Sequence, residues 1–393
     1  MKNEQNTKNK IEWKENKLLE ITKITMGQSP PGDSYNINGE GTPFFQGKAE
    51  FMDRYPVVKK WTTKPSKMAE PISILISVRA PVGDVNLCNI KCCIGRGLAS
   101  IKPNDYVCLE YLFFYLSKNK DKIASLGTGS IFKAISSKKL ENIKIPLPFK
   151  DGKPDLKEQE RIVNILEKAV KLKERGKNAE RLLDDYLKSV FHEIFYDKGF
   201  EEIKLMELYE INPKKSELEK VDGETKVSFL EMASVGEKGE IFAEDIRKLK
   251  DVIKGLTYFR KNDVLFAKIT PCMENGKGAI AKISKDIGFG STEFHVLRPI
   301  KNKSTPEWIY FLLSLNTIRK SAERNMTGSA GQKRVPKQFL QNLKIPLPPL
   351  PLQQKFAKVV EQVEKMKKDV KETRDNSEEL FNSLMSKAFR GEL

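Results

Sequence analysis

Arginine and lysine recur beside glycine and proline in this sequence, at positions typical of turns. Arg79 lies shortly before Pro81, and Arg96 lies between Gly95 and Gly97. Basic side chains in such loops can bind phosphate groups, and arginine, asparagine and glutamine can also form paired hydrogen bonds with base edges. The chemistry indicated is recognition of a nucleic acid, whereas a solvated surface charge is the alternative for any single cation.

Four further segments are rich in cations, and three of them combine the cations with aromatic, hydroxyl or amide side chains. They are "RYPVVKKWTTK" from Arg54, "RKLKDVIKG" from Arg247, "ENGKG" from Glu274 and "GQKRVPK" from Gly331. In addition, the sequence contains two glycine-rich loops, each with a "TGS" sequence that is followed by cations. The residues that we predict to bind DNA are Lys59, Lys60, Trp61, Lys64, Arg79, Arg96, Lys133, Lys248, Lys250, Lys268, Lys277, Gln332, Lys333 and Arg334.

Common catalytic patterns are missing from the sequence. It contains no GxxxxGK[ST] phosphate loop, and Asn212-Pro213 is followed by lysines rather than by the residues of an amino-methyltransferase motif. The two histidines, His192 and His295, form no cluster with carboxylates in the sequence. The five cysteines include no CxxC pair, so we expect partly buried thiols rather than metal ligands. We therefore predict a chain without an active site, metal or cofactor of its own.

The charge balance favours a polyanionic partner. Lysine and arginine number 70 against 53 acidic residues, which gives a net charge of +17. No apolar stretch approaches the roughly 18 to 20 residues of a membrane span, and the polar start has no signal-peptide core. We expect a cytoplasmic protein that makes no membrane contact.

The sequence contains an internal duplication. "LENIKIPLP" from Leu140 to Pro148 returns as "LQNLKIPLP" from Leu340 to Pro348. Other matches occur in the same order: "WKENKLLEI" with "FEEIKLMEL", "EYLFFYLSK" with "EWIYFLLSL", "TGSI" with "TGSA", and "KEQERIVNILEKA" with "LQQKFAKVVEQVE". Repeated order across the whole chain indicates two copies of one structural unit.

Each copy combines a mixed globule with a long helix, so we predict an α+β fold. Short apolar runs that end in Gly and Pro indicate buried strands, and "EYLFFYLSK" and "EWIYFLLSL" indicate helices that pack on them. The "KIPLP" sequences are expected to end each globule as an edge strand. We place the globules at residues 1–153 and 199–349, and the long helices at 154–198 and 350–393.

The two long helices show heptad patterns. Apolar or small residues recur at alternating spacings of about four and three from Ile165 to Val190 and from Val359 to Leu384. We expect Leu172 to lie in the first seam. Because the order is globule, helix, globule, helix, packing of the two seams predicts an antiparallel coiled coil with pseudo-two-fold symmetry. A helix begins after Pro154, where Asp155 and Glu158 form a capping-box pattern.

Taken together, these motifs resemble those of the specificity subunit of type I restriction–modification systems. The resemblance covers nearly the whole chain. It depends on the duplicated plan, on the "TGS…NIKIPLP" and "TGS…NLKIPLPPL" ends of the globules, on "EQERIV" and "LQQKFAKVV" at the helix starts, and on "SLMSKAFRGEL" at the C-terminus.

The resemblance implies a non-catalytic subunit that binds double-stranded DNA. Each globule would read one half of a split target, and the coiled coil would set the unread spacer between the halves. Two methyltransferase subunits that use S-adenosylmethionine, and restriction subunits, would assemble with it. The family pattern transfers no base-contacting residues, so the cations above remain predictions from the residues alone.

Two other functions stay open from the sequence. A coiled-coil scaffold or adaptor with two globules for RNA or protein would also show duplication and heptads. A single-chain methyltransferase is disfavoured by the missing motifs.

Overall fold

The chain forms two compact units in the computed structural model, which describes residues 11–128, 133–196, 198–329 and 331–393. Unit 1 consists of the residues up to Lys177 together with Glu372–Leu393, and unit 2 consists of Asn178–Lys371. Each unit therefore includes part of both long helices. The division at residues 153, 198 and 349 that the sequence suggests stays a prediction.

The part of unit 1 up to Lys177 begins with short strands and ends in the first long helix. Its strands are β1 (Glu12–Lys17), β2 (Thr22–Met26), β3 (Tyr35–Asn36), β4 (Thr42–Phe45), β5 (Trp61–Thr62), β6 (Met68–Ala69), β7 (Ser73–Ser77), β8 (Val85–Cys88), β9 (Cys92–Ile94), β10 (Leu98–Pro103), β11 (Lys144–Lys150) and β12 (Lys153–Pro154). Its helices are α1 (Leu18–Ile21), α2 (Leu109–Lys118), α3 (Lys120–Ser125), α4 (Ser137–Glu141) and the first part of α5 (Leu156–Phe195).

Unit 2 begins with the last part of α5 and continues with a similar but not identical series of strands and helices. Its strands are β13 (Glu202–Lys204), β14 (Tyr209–Ile211), β15 (Lys226–Leu230), β16 (Asp245–Lys248), β17 (Thr257–Arg260), β18 (Val264–Ala267), β19 (Gly278–Ile280), β20 (Ile287–Gly290), β21 (Phe294–Pro299) and β22 (Lys344–Pro346). Its helices are α6 (Leu249–Val252), α7 (Pro306–Ser314), α8 (Asn316–Arg324), α9 (Lys337–Asn342) and the first part of α10 (Leu350–Ala388).

The main sheets of the two units have the same strand order. It is β2-β10-β7-β8 in unit 1 and β14-β21-β18-β19 in unit 2, with all neighbours antiparallel. β7 has the sequence SILIS and is buried at every position, as expected for a continuous apolar run in a sheet covered on both faces. The predicted α+β class and the duplication are confirmed.

Each unit also has a second sheet whose order differs from that of its counterpart. In unit 1 it is β3-β5-β4-β9-β6, and in unit 2 it is β16-β15-β20-β17. A small additional sheet contains the "KIPLP" sequence. β22 pairs with β13, whereas β11 lies between β1 and β12. β12, which follows the turn at Asp151, pairs only with Phe149 and Lys150 of β11, so the "KIPLP" residues Lys144–Pro148 pair with β1 alone and have the predicted edge position.

Segments of both long helices complete the core of each unit. In unit 1, Ile162 and Leu166 of α5 join Met385 of α10 in the main cluster. In unit 2, Phe191 of α5 and Phe356 of α10 do the same. Because the helices supply core residues, they are integral parts of the globules rather than separate connectors.

The helices run antiparallel within each unit, as predicted. In unit 1, Lys173 donates to Glu378 at 2.7 Å, and the Cα of Gly176, further along α5, faces Arg374, earlier on α10. A Cβ at Gly176 would lie 3.2 Å from the Cβ of Arg374, so glycine permits the close approach of the helices. In unit 2, Asp184 pairs with Lys367, and Phe191, further along α5, packs against Phe356, earlier on α10.

The predicted seam is only partly correct. Leu172 and Tyr186 on α5 are 45% and 51% exposed, and Met366 and Leu380 on α10 are 52% and 47% exposed. The buried stripe passes one residue to the side of these positions. Its central positions hold ion-paired residues such as Lys173, so hydrophobicity alone gave the wrong register there.

Asp155 caps α5, but the capping box is incomplete. Its Oδ1 accepts from the N–H of Glu158 at 3.1 Å. The N–H of Asp155 donates to Pro148 O, and the carboxylate of Glu158 pairs with Arg161 instead. No helix among the described residues is long and apolar enough to cross a membrane.

Candidate nucleic-acid interface

The end of β7 in unit 1 lies beside a segment that returns from far along the chain. The N–H of Ala80 donates to Lys133 O at 3.0 Å, and the N–H of Ile135 donates to Val78 O at 2.9 Å. These two bonds place Arg79 opposite the segment that follows the "TGS" sequence. Of that sequence, residues 129 and 130 lie outside the described residues.

A third segment meets the same point. The N–H of Val78 donates to Gly97 O at 2.9 Å, which places Arg96 next to the end of β7. Three of the predicted residues are thus brought to neighbouring positions by three separate parts of the chain. We call Arg79, Arg96 and Lys133 the unit 1 cluster. All three side chains are exposed.

Unit 2 repeats this hydrogen-bond pattern at the end of β18. The N–H of Thr270 donates to Lys333 O at 3.0 Å, and the N–H of Val335 donates to Lys268 O at 2.9 Å. The N–H of Lys268 in turn donates to Glu293 O at 2.9 Å. Lys268, Lys333 and Arg334 form the unit 2 cluster.

Side chains differ between the two clusters although the backbone pattern is shared. The hydrogen bonds align Glu293 with Gly97 and Arg334 with Ala134. Arg334 donates to Glu293 at 2.9 Å, and this guanidinium lowers the pKa of Glu293. Burial lowers the pKa of Lys268, which is half-buried beside the same carboxylate. One scaffold therefore presents two different surfaces.

A groove borders the unit 2 cluster. It has a volume of about 650 Å³ and lies between α8 and the loop after β18. The cations that line it are Lys320, Arg324 and Lys333, and the acids are Glu274 and Glu323. Its mixed polar lining suits a charged chain rather than an apolar ligand.

The remaining predicted residues of unit 1 lie in β5 of its second sheet or in the loops beside that strand. Trp61 is in β5, next to the exposed Lys59, Lys60 and Lys64. Lys64 lies 3.5 Å from Asp33, an exposed pair that contributes little to stability.

In unit 2, Lys248 and Lys250 both pair with Glu224, and the two lysines lower the pKa of that carboxyl. Lys277 is half-buried, and its Nζ donates to Met232 O at 3.1 Å. Gln332 is exposed beside the unit 2 cluster. Contact of these residues with DNA stays a prediction.

Sequence reasoning missed Glu293, Lys320 and Arg324. The last two are four residues apart and so share a face of α8, a signal that the sequence contained. The contact of Glu293 with Arg334 could not be predicted, because the two residues are distant in sequence and are brought together by the pairing of chain segments in the fold.

Metal chemistry would need a cluster of cysteine, histidine or carboxylate ligands. Cys88, Cys92 and Cys93 are buried free thiols, and the sulfurs of Cys88 and Cys92 are 3.6 Å apart. Within the described ranges, His, Cys, Asp and Glu form no group of three or more that could hold a metal ion.

The fold and the clusters define a class of protein: a duplicated α+β chain in which each unit presents a basic surface on the same backbone frame. The chain belongs to the type I restriction modification DNA specificity domain family, whose model matches residues 10–180 and 197–378.

Individual relatives agree with the family model. The chain is 51% identical over 167 residues to the type I restriction enzyme MjaX specificity subunit of Methanocaldococcus jannaschii, covering 42% of this chain and 39% of that protein. It is 42% identical over 160 residues to the EcoAI specificity subunit of Escherichia coli, covering 40% of this chain and 27% of that protein. The matches thus span less than half the length of these relatives.

A solved structure shows the same fold over the full length. The crystal structure of a type I restriction–modification S subunit from M. genitalium aligns with a TM-score of 0.57, covering 98% of this chain and 97% of the other. The sequence identity is 16%, so this likeness concerns the fold alone.

Proposed function

We propose that this chain is the DNA-recognition subunit of a type I restriction–modification complex, in which each unit reads one half of a split target. The observation that carries the proposal is the backbone hydrogen-bond pattern that the two units share at the ends of β7 and β18. The same pattern presents different basic side chains in each unit. A duplicated scaffold with diverged surfaces suits a target whose two halves differ in sequence.

The charges support a DNA partner. The chain has a net charge of +17, and the unit 1 cluster and the groove beside the unit 2 cluster both expose cations. Cations position a protein on phosphates, while paired donors such as arginine specify bases. Both kinds of group lie in each cluster.

The partners that we propose follow from the family. Two methyltransferase subunits with bound S-adenosylmethionine would modify adenine, restriction subunits would join them, and this chain would supply specificity without chemistry, in the cytoplasm. The long helices would set the spacer between the half-sites. Exposed apolar side chains on the helices, including Leu182 and Tyr186 of α5 and Met366 of α10, are suited to contact protein subunits.

Copurification and mapping of methylated bases test this function. The full chain would be expressed with the products of neighbouring genes, and methylated adenines would be mapped in the host genome with and without it. We expect methylation at a split sequence that disappears when this chain is deleted. Unchanged methylation would contradict the proposal.

The same exposed apolar residues also favour the second candidate, a scaffold or adaptor that binds RNA or protein through its globules. Binding of the full chain to duplex DNA at several salt concentrations separates the two. Phosphate neutralisation predicts that log K falls linearly with log salt, with a slope of about −0.9 for each phosphate contacted. A protein scaffold predicts weak binding to duplex DNA at every salt concentration, and an RNA adaptor predicts stronger binding to RNA.

A further inference from the structure

Arg334 and Glu293 form a side-on pair at the surface of unit 2. Nε of Arg334 lies 2.9 Å from Oε2 of Glu293, and Nη2 lies 2.9 Å from Oε1. Nη1 donates to the carbonyl of Gln332, also at 2.9 Å. Three contacts therefore fix the plane of the guanidinium.

The pairing leaves donors free for a partner. A guanidinium has five N–H groups, and this one uses one on Nε, one on Nη2 and one on Nη1. Each terminal nitrogen of Arg334 keeps one N–H. Two donors on adjacent nitrogens match the N7 and O6 acceptors that guanine presents in the major groove.

Glu293 is held in place by its own backbone. Its carbonyl accepts from the N–H of Lys268 at 2.9 Å, and its N–H donates to Ser291 Oγ at 3.2 Å. The Glu293 side chain is 23% exposed and that of Arg334 is 41% exposed. The carboxylate is thus mostly covered while the guanidinium remains accessible. A side chain oriented before binding loses less conformational freedom when it binds.

The equivalent positions in unit 1 hold Gly97 and Ala134, which can form no such pair. The arginine–glutamate pair is therefore a feature of unit 2 that these positions of unit 1 do not share.

We propose that Arg334 reads a guanine in the half-site bound by unit 2, and that Glu293 is the positioning residue that directs its two free donors. The inference depends on the proposed function, since it names one determinant of that recognition. The neighbouring Lys333 has a single ammonium group, which cannot form the paired hydrogen bonds of a guanidinium. We therefore assign Lys333 to the phosphate backbone.

Selection of bound sequences from a randomised duplex library tests the assignment. The library would be presented to the full chain, together with any methyltransferase subunits that copurify with it. We expect Arg334→Ala and Arg334→Lys each to lose preference at one guanine of one half-site, by about 5-fold to 150-fold. Arg334→Lys should keep the salt slope of the parent, because the substitution leaves the charge at this position unchanged.

Two further variants separate positioning from charge. Glu293→Gln should weaken preference at the same guanine by less than Arg334→Ala, because the amide retains one oxygen to accept from Arg334. Lys333→Ala should lower affinity for all sequences and reduce the salt slope by about 0.9, with base preference unchanged. Thermal stability and preference for the other half-site provide internal controls for folding.

Several outcomes would overturn the inference while leaving the proposed function intact. Uniform weakening by Arg334→Ala, with the affinity and base preference of the parent kept in Arg334→Lys, would make Arg334 a phosphate contact. Loss of preference at several positions of both half-sites would indicate a general structural role. If the parent chain shows no sequence preference at all, the proposed function itself fails.

Discussion

The side-chain oxygen of Gln159 accepts a hydrogen bond from the backbone N–H of Cys108 at 2.9 Å. Cys108 immediately precedes α2. Gln353 repeats the arrangement in unit 2, where its Oε1 accepts from the N–H of Thr305, just before α7, at 3.0 Å. Both glutamines are fully buried. Each long helix is therefore bonded near its start to the globule that precedes it.

Replacing Gln353 should destabilise unit 2. In Gln353→Leu the N–H of Thr305 and the hydroxyl of the buried Ser304 would lose their acceptor, which costs about 1–3 kcal/mol of unfolding free energy. The neighbouring Gln354 is exposed, so Gln354→Leu is a matched control that we expect to be nearly neutral. Amide hydrogen exchange of unit 2 measures the difference, and equal protection in the two variants would contradict this role.

The stability of unit 2 should depend on pH through His295. Its Nε2 lies 2.8 Å from Val335 O and its Nδ1 lies 3.1 Å from Nδ2 of Asn212, which fits a neutral ring with the proton on Nε2. Burial lowers its pKa to about 4. The unfolded chain therefore binds the proton more readily, and stability falls as pH drops from about 6.5 to about 4, by roughly 3 kcal/mol.

Urea unfolding between pH 4 and pH 7 measures that contribution. His295→Gln should have a lower unfolding free energy at pH 7 and a flatter dependence on pH than the parent. His192 is exposed, so His192→Gln should follow the parent curve. Parallel curves for all three proteins would show that His295 does not couple folding to protonation.

The sequence was sufficient for the features that depend on local pattern and repetition. Apolar runs ending in Gly or Pro predicted β7, β10, β18 and β21, and the repeats predicted two units with the same sheet. The apolar heptad pattern placed the seam of the two long helices at the wrong positions. The buried stripe contains Lys173 and Lys367, and a pattern of apolar residues cannot detect lysines. Their burial depends on partners on the other helix, which spacing along one helix does not reveal.

The candidate interface was predictable in part. Single cations such as Arg79 and Lys333 were found because they lie in loops rich in Gly and Pro. Their grouping required the pairing of three distant chain segments, and the pairing of Glu293 with Arg334 followed only from that. Nonlocal contacts of this kind leave no fixed spacing in one sequence.

The unit 1 cluster should contribute to the salt dependence of DNA binding. Arg79→Ala combined with Lys133→Ala should reduce the slope of log K against log salt by about 1.8 if both residues meet phosphates. A control with the same change of charge is Lys150→Ala with Lys153→Ala, two exposed positions in the β11–β12 hairpin of the same unit. Filter binding of the full chain over a range of salt gives both slopes. An equal loss in the two double variants would mean that only net charge matters.

The last residues of the chain are part of unit 1. The ring of Phe389 packs edge-on against Tyr111 with centroids 5.2 Å apart, and Lys118 donates to Met385 O at 2.9 Å. An exchange of recognition units should therefore include the C-terminal segment together with the N-terminal globule.

Exchange of unit 1 with that of a relative should change one half of the target and leave the other half unchanged. Two chimeras test this: one carries residues 1–153 of the relative, and the other carries in addition its counterpart of Phe381–Leu393. We expect the same new half-site in both, because the proposed DNA contacts lie in the globule. The second should melt at a higher temperature, because its contacts to the C-terminal helix are matched. Mapping of methylated adenines reports the target, and a change in both half-sites would refute independent recognition by the two units.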